Sequence, residues 1–389
     1  MMFPVLSKMK IGRQRKDILR PSRHFLVAKI YLFLLCGLLY FPLAGLPARA
    51  GSGGADQSLL NKGWLRGQWT HFTTENGLSS NVVLSIAVQG ENVWFGTFAG
   101  GASYLQKASG QWSAYTTKGG KALAKKMHSS LTWENALEDN HVTAIAVDPD
   151  DGVWFGTTFY GFGDLFGVSR WGGSPTPRWT TYGLAQGLVC NDITSLAIDR
   201  DSVWAGTQKG LGRYIKKTGA WRFYGSSKQI PGKYVNVVLS RGQEVWLGTS
   251  LGIVILDKKE GTWKSFQSKD GLPEDTIQAL AFDGVNMWAG GTYGSLALYS
   301  EREGRWSTVH TNDGLEGKWI KAMATDGTFL WVARDGGVSC LDIPGGQWLA
   351  LTSADGLIDS LVNAVAIDGP AVWFGTGAGV SRLLLKRKP

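Results

Sequence analysis

The chain has 389 residues, 43% hydrophobic and 18% charged, which is enough apolar content to bury a large core and excludes a disordered chain. Its 40 Lys+Arg and 31 Asp+Glu give a formal net charge of +9, but nine basic groups and one acidic group fall within the first 50 residues. Residues 51–389 then carry 31 basic and 30 acidic groups, net +1, which argues against a basic, nucleic-acid-binding protein.

A basic segment ending at Arg23 precedes an apolar run over residues 30–46, followed by Pro47-Ala48-Arg49-Ala50. Charged, apolar and small-x-small regions in that order predict a signal peptide over 1–50, cleaved after Ala50. The run contains Pro42 and is short for a membrane span, so an uncleaved anchor is the alternative. Met9 is a second candidate start. Cys36 lies mid-run behind Leu35, where a lipidation site wants a small residue. The expected location is periplasmic or secreted, with membrane contact only through this segment. Residues 51–68 read as a linker. Beyond residue 50 only Cys190 and Cys340 remain, too few for a disulfide framework.

From residue 69 a repeat dominates. One Trp series runs Trp69, Trp112, Trp179, Trp221, Trp263, Trp306 and Trp348; a second runs Trp94, Trp154, Trp204, Trp246, Trp288, Trp331 and Trp373. Fourteen of the 18 Trp thus belong to one unit of about 42 residues that recurs seven times. The third copy shows four short strands, A to D, at 192–199, 202–207, 211–216 and 221–224, separated by turn residues. Four antiparallel strands at this period predict an all-β, seven-bladed β-propeller over 69–385, followed by a basic tail at 386–389. The Trp rings are core, filling the wedges between blades. Alanines at 87, 146, 197, 281, 324 and 366 let the sheets approach near the axis. The repeats open on a lone D strand at 69–72 and end after a C strand, so the N-terminal strand is expected to complete the seventh blade and close the ring.

The segments Asp355-Gly356-Leu357, Val365-Ala366-Ile367-Asp368, Val372-Trp373-Phe374-Gly375-Thr376 and Gly379-Val380-Ser381-Arg382 trace one full unit. It resembles the two-component regulator propeller repeat of periplasmic sensor regions in bacterial hybrid histidine kinases. The resemblance covers roughly 69–385. It implies an extracytoplasmic sensor. Because this sequence stops at Pro389 without a kinase, it also implies signalling through a membrane-bound partner in trans.

The copies can be compared with one another, shared positions reporting scaffold and divergent ones function. The second A-strand residue reads Leu84, Thr143, Thr194, Asn236, Gln278, Lys321 and Asn363, a mostly polar ring. Two residues earlier stand Val82, His141, Asp192, Tyr234, Thr276, Trp319 and Leu361. In a propeller these positions border the channel mouth. Together they suggest a site for a small polar ligand such as a carbohydrate, built from His141, Asp192, Tyr234, Asn236, Gln278, Trp319, Lys321 and Asn363. Solvated loop ends are the plainer reading.

The second blade carries insertions at 118–139 and 158–166 on the same face, with Trp133, Phe159, Tyr160, Phe162 and Phe166 as candidate contact residues. Packing of the insertions on each other is the alternative.

No cofactor or metal is expected, and no phosphate-binding glycine loop occurs. The aspartates Asp148, Asp199, Asp283, Asp326 and Asp368 end A strands and read as turn caps. His128 and His141 stand near Glu134, Glu138 and Asp192, without compact ligand spacing. A non-enzymatic ligand-binding sensor is therefore expected. The alternatives are a protein-interaction scaffold using the second-blade insertions, and a propeller lyase or hydrolase of the kind that the streptogramin lyases represent.

Overall fold

The computed structural model describes residues 57–386, apart from 118–136, 138, 151, 159–166, 173–177, 189, 314 and 316–317. Among the described residues the chain forms seven antiparallel sheets, six of four strands and one of five. Residues 53–389 make one compact unit. Blade 1 runs through Val83–Gln89, Asn92–Thr97, Gly101–Gln106 and Gln111–Tyr115. The A strands of blades 2 to 7 are Val142–Asp148, Ile193–Ile198, Val235–Arg241, Ile277–Phe282, Ile320–Thr325 and Val362–Asp368. Each lies beside the A strand of the next blade, and that of blade 7 lies beside that of blade 1. The ring is a closed seven-bladed propeller.

The repeated residues explain the packing. The seven B-strand Trp are at most 5% exposed, each pressed between neighbouring sheets. In six blades an alanine lies opposite that Trp across the A–B pair, as Ala197 does to Trp204; blade 4 has Leu239 there. The glycine that follows is set by the next blade. A Cβ on Gly156 would come within 2.4 Å of Ile193, the first A-strand residue of blade 3. Gly206, Gly248 and Gly290 receive Val235, Ile277 and Ile320 in the same way. A side chain at these positions would wedge the blades apart.

Closure follows strand counting. Leu65–Phe72 pairs with Val380–Leu385 as the D strand of blade 7. Trp69 is fully buried and its indole N–H donates to the Asp355 carbonyl at 2.9 Å. It takes the place over Gly356 that Trp306 takes over Gly271 in blade 5. Gly356 sits at φ +103° and a Cβ there would meet the Trp69 ring at 2.6 Å, so both its conformation and its space require glycine.

The segment expected to be a linker at 51–68 is not one over its described part. Gln57–Lys62 forms a fifth strand, joined to Leu65–Phe72 by the two-residue loop Gly63-Trp64 with Gly63 at φ +53°. Leu60 and Leu65 are buried among blade 6 and blade 7 residues, Trp64 stacks on Phe329 of blade 6 at 5.5 Å, and Lys62 pairs with Asp355 at 2.8 Å. Burial of Asp355 works to raise its carboxyl. The Lys62 ammonium and hydrogen bonds from Thr352 outweigh this and hold it below the ordinary value.

Of the aspartates at the A–B turns, Asp148, Asp199, Asp283 and Asp326 accept turn N–H groups as expected, and the position does more besides. Asp199 accepts from the Asp201 and Ser202 N–H groups and from the Trp204 indole. It also pairs with Lys258 of blade 4 at 2.9 Å. Asp148 pairs with Lys216 of blade 3 at 2.5 Å, and Asp368 with Lys107 of blade 1 at 2.8 Å. One repeat position therefore both caps a turn and clasps the next blade. Cys190 and Cys340 are both buried free thiols.

Candidate functional site

The second residue of every A strand falls at a β-bulge, between Val83 and Ser85 in blade 1 and at the matching place in the other six. A bulge leaves one residue out of the ladder and re-aims its side chain. Here the extra residue reaches to the neighbouring blade. Thr143 donates to the Ile193 carbonyl at 2.6 Å, Thr194 to that of Val235 at 2.6 Å, Asn236 to that of Ile277 at 2.8 Å, and Asn363 to that of Val83 at 3.0 Å. In blade 1, where Leu84 has no polar group, Ser85 makes the equivalent bond to Val142 at 3.4 Å. The polar ring is thus largely a stitch that ties each blade to the next.

The stitch changes at blades 5 and 6. Gln278 turns to Thr292 of its own blade at 2.8 Å. Lys321 bonds the Asn363 side-chain oxygen at 3.1 Å and pairs with Asp335 at 2.8 Å. Asp335 belongs to the B–C turn of blade 6, and its backbone N–H donates to the Trp319 carbonyl. Trp319, Lys321 and Asn363 are half-buried at the rim of the ring.

The residues two positions before the bulge, Val82, His141, Asp192, Tyr234, Thr276, Trp319 and Leu361, are all half-buried. Six of them anchor through their carbonyls to the N–H just past a B strand, as Tyr234 does to Ser250 and Leu361 to Gly377. This leaves their side chains to differ without disturbing the frame. His141 lies edge-on to Phe98 at 4.2 Å, with Nδ1 at 3.2 Å from Asp139. Asp192 accepts from the Thr158 hydroxyl at 3.2 Å. Blades 2 and 3 thus group His141, Asp139 and Asp192, while blades 6 and 7 group Trp319, Lys321, Asp335 and Asn363. Tyr234 and Gln278 stand on the blades between.

Trp133, Phe159, Tyr160, Phe162 and Phe166 lie outside the described residues, as do His128, Glu134 and Glu138. Among the described residues no group of three or more His, Cys, Asp or Glu is placed to hold a metal ion.

Sequence reasoning passed over Arg334. Five blades end the B strand in a buried threonine that donates to the carbonyl of a C-strand glycine, as Thr249 does to Gly252 at 2.8 Å. Blade 6 has Arg334 there, fully buried, with Nη1 at 3.2 Å from the carbonyls of both Gly294 and Leu315. Blade 5 has Gly291, and the Glu274 carboxylate takes over the turn by accepting from the Tyr293 and Ser295 N–H groups. The signal was present as a break in the V-W-x-G-T pattern at two adjacent copies.

The family model "Two component regulator propeller" matches residues 136–159, the A and B strands of blade 2 and the approach to them. The matched segment falls within one copy of the unit that recurs through the chain. No curated protein matches in sequence. Among solved structures, the extracellular domain of a putative hybrid two component system from B. thetaiotaomicron is similar at 20% identity and TM-score 0.64, covering 81% of this chain and 41% of that one. PorZ, a surface component of the type-IX secretion system of Porphyromonas gingivalis, is similar at 15% identity and TM-score 0.59, covering 80% and 47%. Virginiamycin B lyase from Staphylococcus aureus is similar at 14% identity and TM-score 0.58, covering 85% and 100%. At these identities the likeness is one of fold. The chain spans less than half the length of the first two. Among the described residues no helix is long and apolar enough to cross a membrane.

Proposed function

We propose that the protein is an exported sensory propeller that binds a small polar ligand, such as a carbohydrate, at the channel mouth and signals through a membrane-bound partner. The observation that carries this reading is the change of chemistry at the mouth. Four blades use the polar bulge residue to bond the next blade's carbonyl, whereas Lys321 joins Asp335 and Asn363 beside Trp319 in a half-buried charged and aromatic group. Charge, amide and indole brought together suit a ligand with several hydroxyls. The likeness to the extracellular domain of a two component system supports the sensory role, and the likeness to PorZ supports an exported location.

A thermal-shift screen of mono- and disaccharides tests it. The expected result is a sugar that raises the melting temperature of the wild type and loses its effect in Tyr234→Ala with Trp319→Ala. A sugar whose affinity the double variant leaves unchanged would place the site elsewhere.

A further inference from the structure

The net charge of +1 over residues 51–389 hides a local imbalance. Residues 200–233, from blade 3 to the loop entering blade 4, hold eight basic side chains and one acidic one, net +7. The rest of 51–389 holds 23 basic and 29 acidic groups, net −6. Two of the eight cations work inside the fold: Lys216 pairs with Asp148, and Arg213 lies over the Trp204 ring and bonds Ser202. The other six, Arg200, Lys209, Lys217, Arg222, Lys228 and Lys233, are exposed.

Three of them share the mouth-side rim with apolar side chains. Lys209 occupies the B–C turn and Lys228 and Lys233 the loop from blade 3 to blade 4. Phe223, 37% exposed, lies over Gly210 and Gly225 next to Lys209. Leu251, 43% exposed, lies against Gly232 beside Lys233. Lys233 itself is held at φ +60°, a conformation that glycine or asparagine adopts more easily, so a cation stands there against backbone preference. Cations around exposed apolar side chains match a bilayer surface, with headgroups for the lysines and the headgroup–acyl boundary for Phe223 and Leu251. A purely anionic polymer would need only the charges.

We infer that the mouth-side rim of blade 3 docks on an anionic lipid surface. Docking there tilts the channel mouth toward the membrane, and it does not depend on what the mouth binds.

Co-sedimentation of residues 53–389 with vesicles of phosphatidylcholine alone, or mixed with phosphatidylglycerol, tests this. Binding is expected only to the mixed vesicles and should weaken as salt rises. Lys209→Glu, Lys228→Glu and Lys233→Glu together should lower the partition coefficient at least about a hundredfold, each cation being worth about fivefold at such a surface. Phe223→Ala should lower it about tenfold, and Arg302→Glu on blade 5 should leave it unchanged. Equal binding to neutral vesicles overturns the inference, as does undiminished binding by the triple variant. So does capture of alginate through these lysines while vesicles stay unbound, which would assign the rim to an acidic polymer.

Discussion

Blades 3 and 4 use their repeat positions uniformly, and blades 5 and 6 do not. In blades 3 and 4, Thr207 and Thr249 close the B–C turn, while Thr194 and Asn236 stitch to the next blade. In blades 5 and 6 the same positions read Gly291 and Arg334, then Gln278 and Lys321. The backbone is the same in both regions. The turn is held by Glu274 in one of these blades, and Arg334 bonds across to blade 5 and the loop into blade 6 in the other. A closed ring tolerates such departures because every blade is supported on two sides. Where the repeated stitch gives way, the polar side chains take other partners: Gln278 bonds Thr292, and Lys321 joins Asp335 and Asn363.

The largest test removes the support itself. Deleting residues 51–75 takes away the D strand of blade 7 with Trp69 and opens an edge. Calorimetry should then show loss of the cooperative transition, since truncating a buried Trp alone costs about 3–5 kcal/mol.

Next comes a matched pair of substitutions. Arg334→Met leaves the Gly294 and Leu315 carbonyls without their donor in a buried place and should cost about 2–4 kcal/mol in urea unfolding. Thr249→Val at the equivalent position should cost about 1 kcal/mol. Equal losses would mean that blade 6 is no more dependent on its charged residue than blade 4 is on its hydroxyl.

A third test concerns the clasps on the opposite face. Three seams pair an aspartate with a lysine of the next blade, but between blades 4 and 5 the polarity is reversed, with Arg241 facing Glu301. This pair is 29% and 39% exposed and borders a cleft of about 390 Å³. Glu301→Lys should therefore destabilise by only about 0.5–1 kcal/mol, and adding Arg241→Asp should restore most of the loss.

The smallest effect is set by pH. Burial raises the Asp199 carboxyl, but the Trp204 indole and Lys258 outweigh it and hold it below the ordinary range, as Lys62 and Thr352 do for Asp355. A depressed carboxyl gives stability that is present above its unfolded pKa and is lost as pH falls through the folded one. The melting temperature should thus hold above about pH 4 and fall below it. Asp355→Asn should flatten that fall.

The fold was legible because it is periodic. Trp at two fixed phases, Ala opposite Trp and Gly two residues on recur in register, and periodicity survives without coordinates. The strand Gln57–Lys62 escaped notice because it stands outside the repeat and has no copy to be compared with. The ring of bulge residues was legible as polar, but its task was not. Whether Thr194 or Asn236 faces a ligand or a neighbouring carbonyl depends on how the bulge turns the side chain, and spacing does not encode that. Arg334 could have been found as the break it makes in V-W-x-G-T.

Sequence alone determined the seven blades, the closing strand and the near-neutral total charge of residues 51–389. Those properties follow from composition and period. Tertiary structure alone decided which polar groups are used up between blades, and that three of the eight cations in 200–233 stand on the mouth-side rim beside Phe223 and Leu251. Hydrogen bonds and surface charge act over a few ångströms between residues tens of positions apart, so they exist only once the ring has closed.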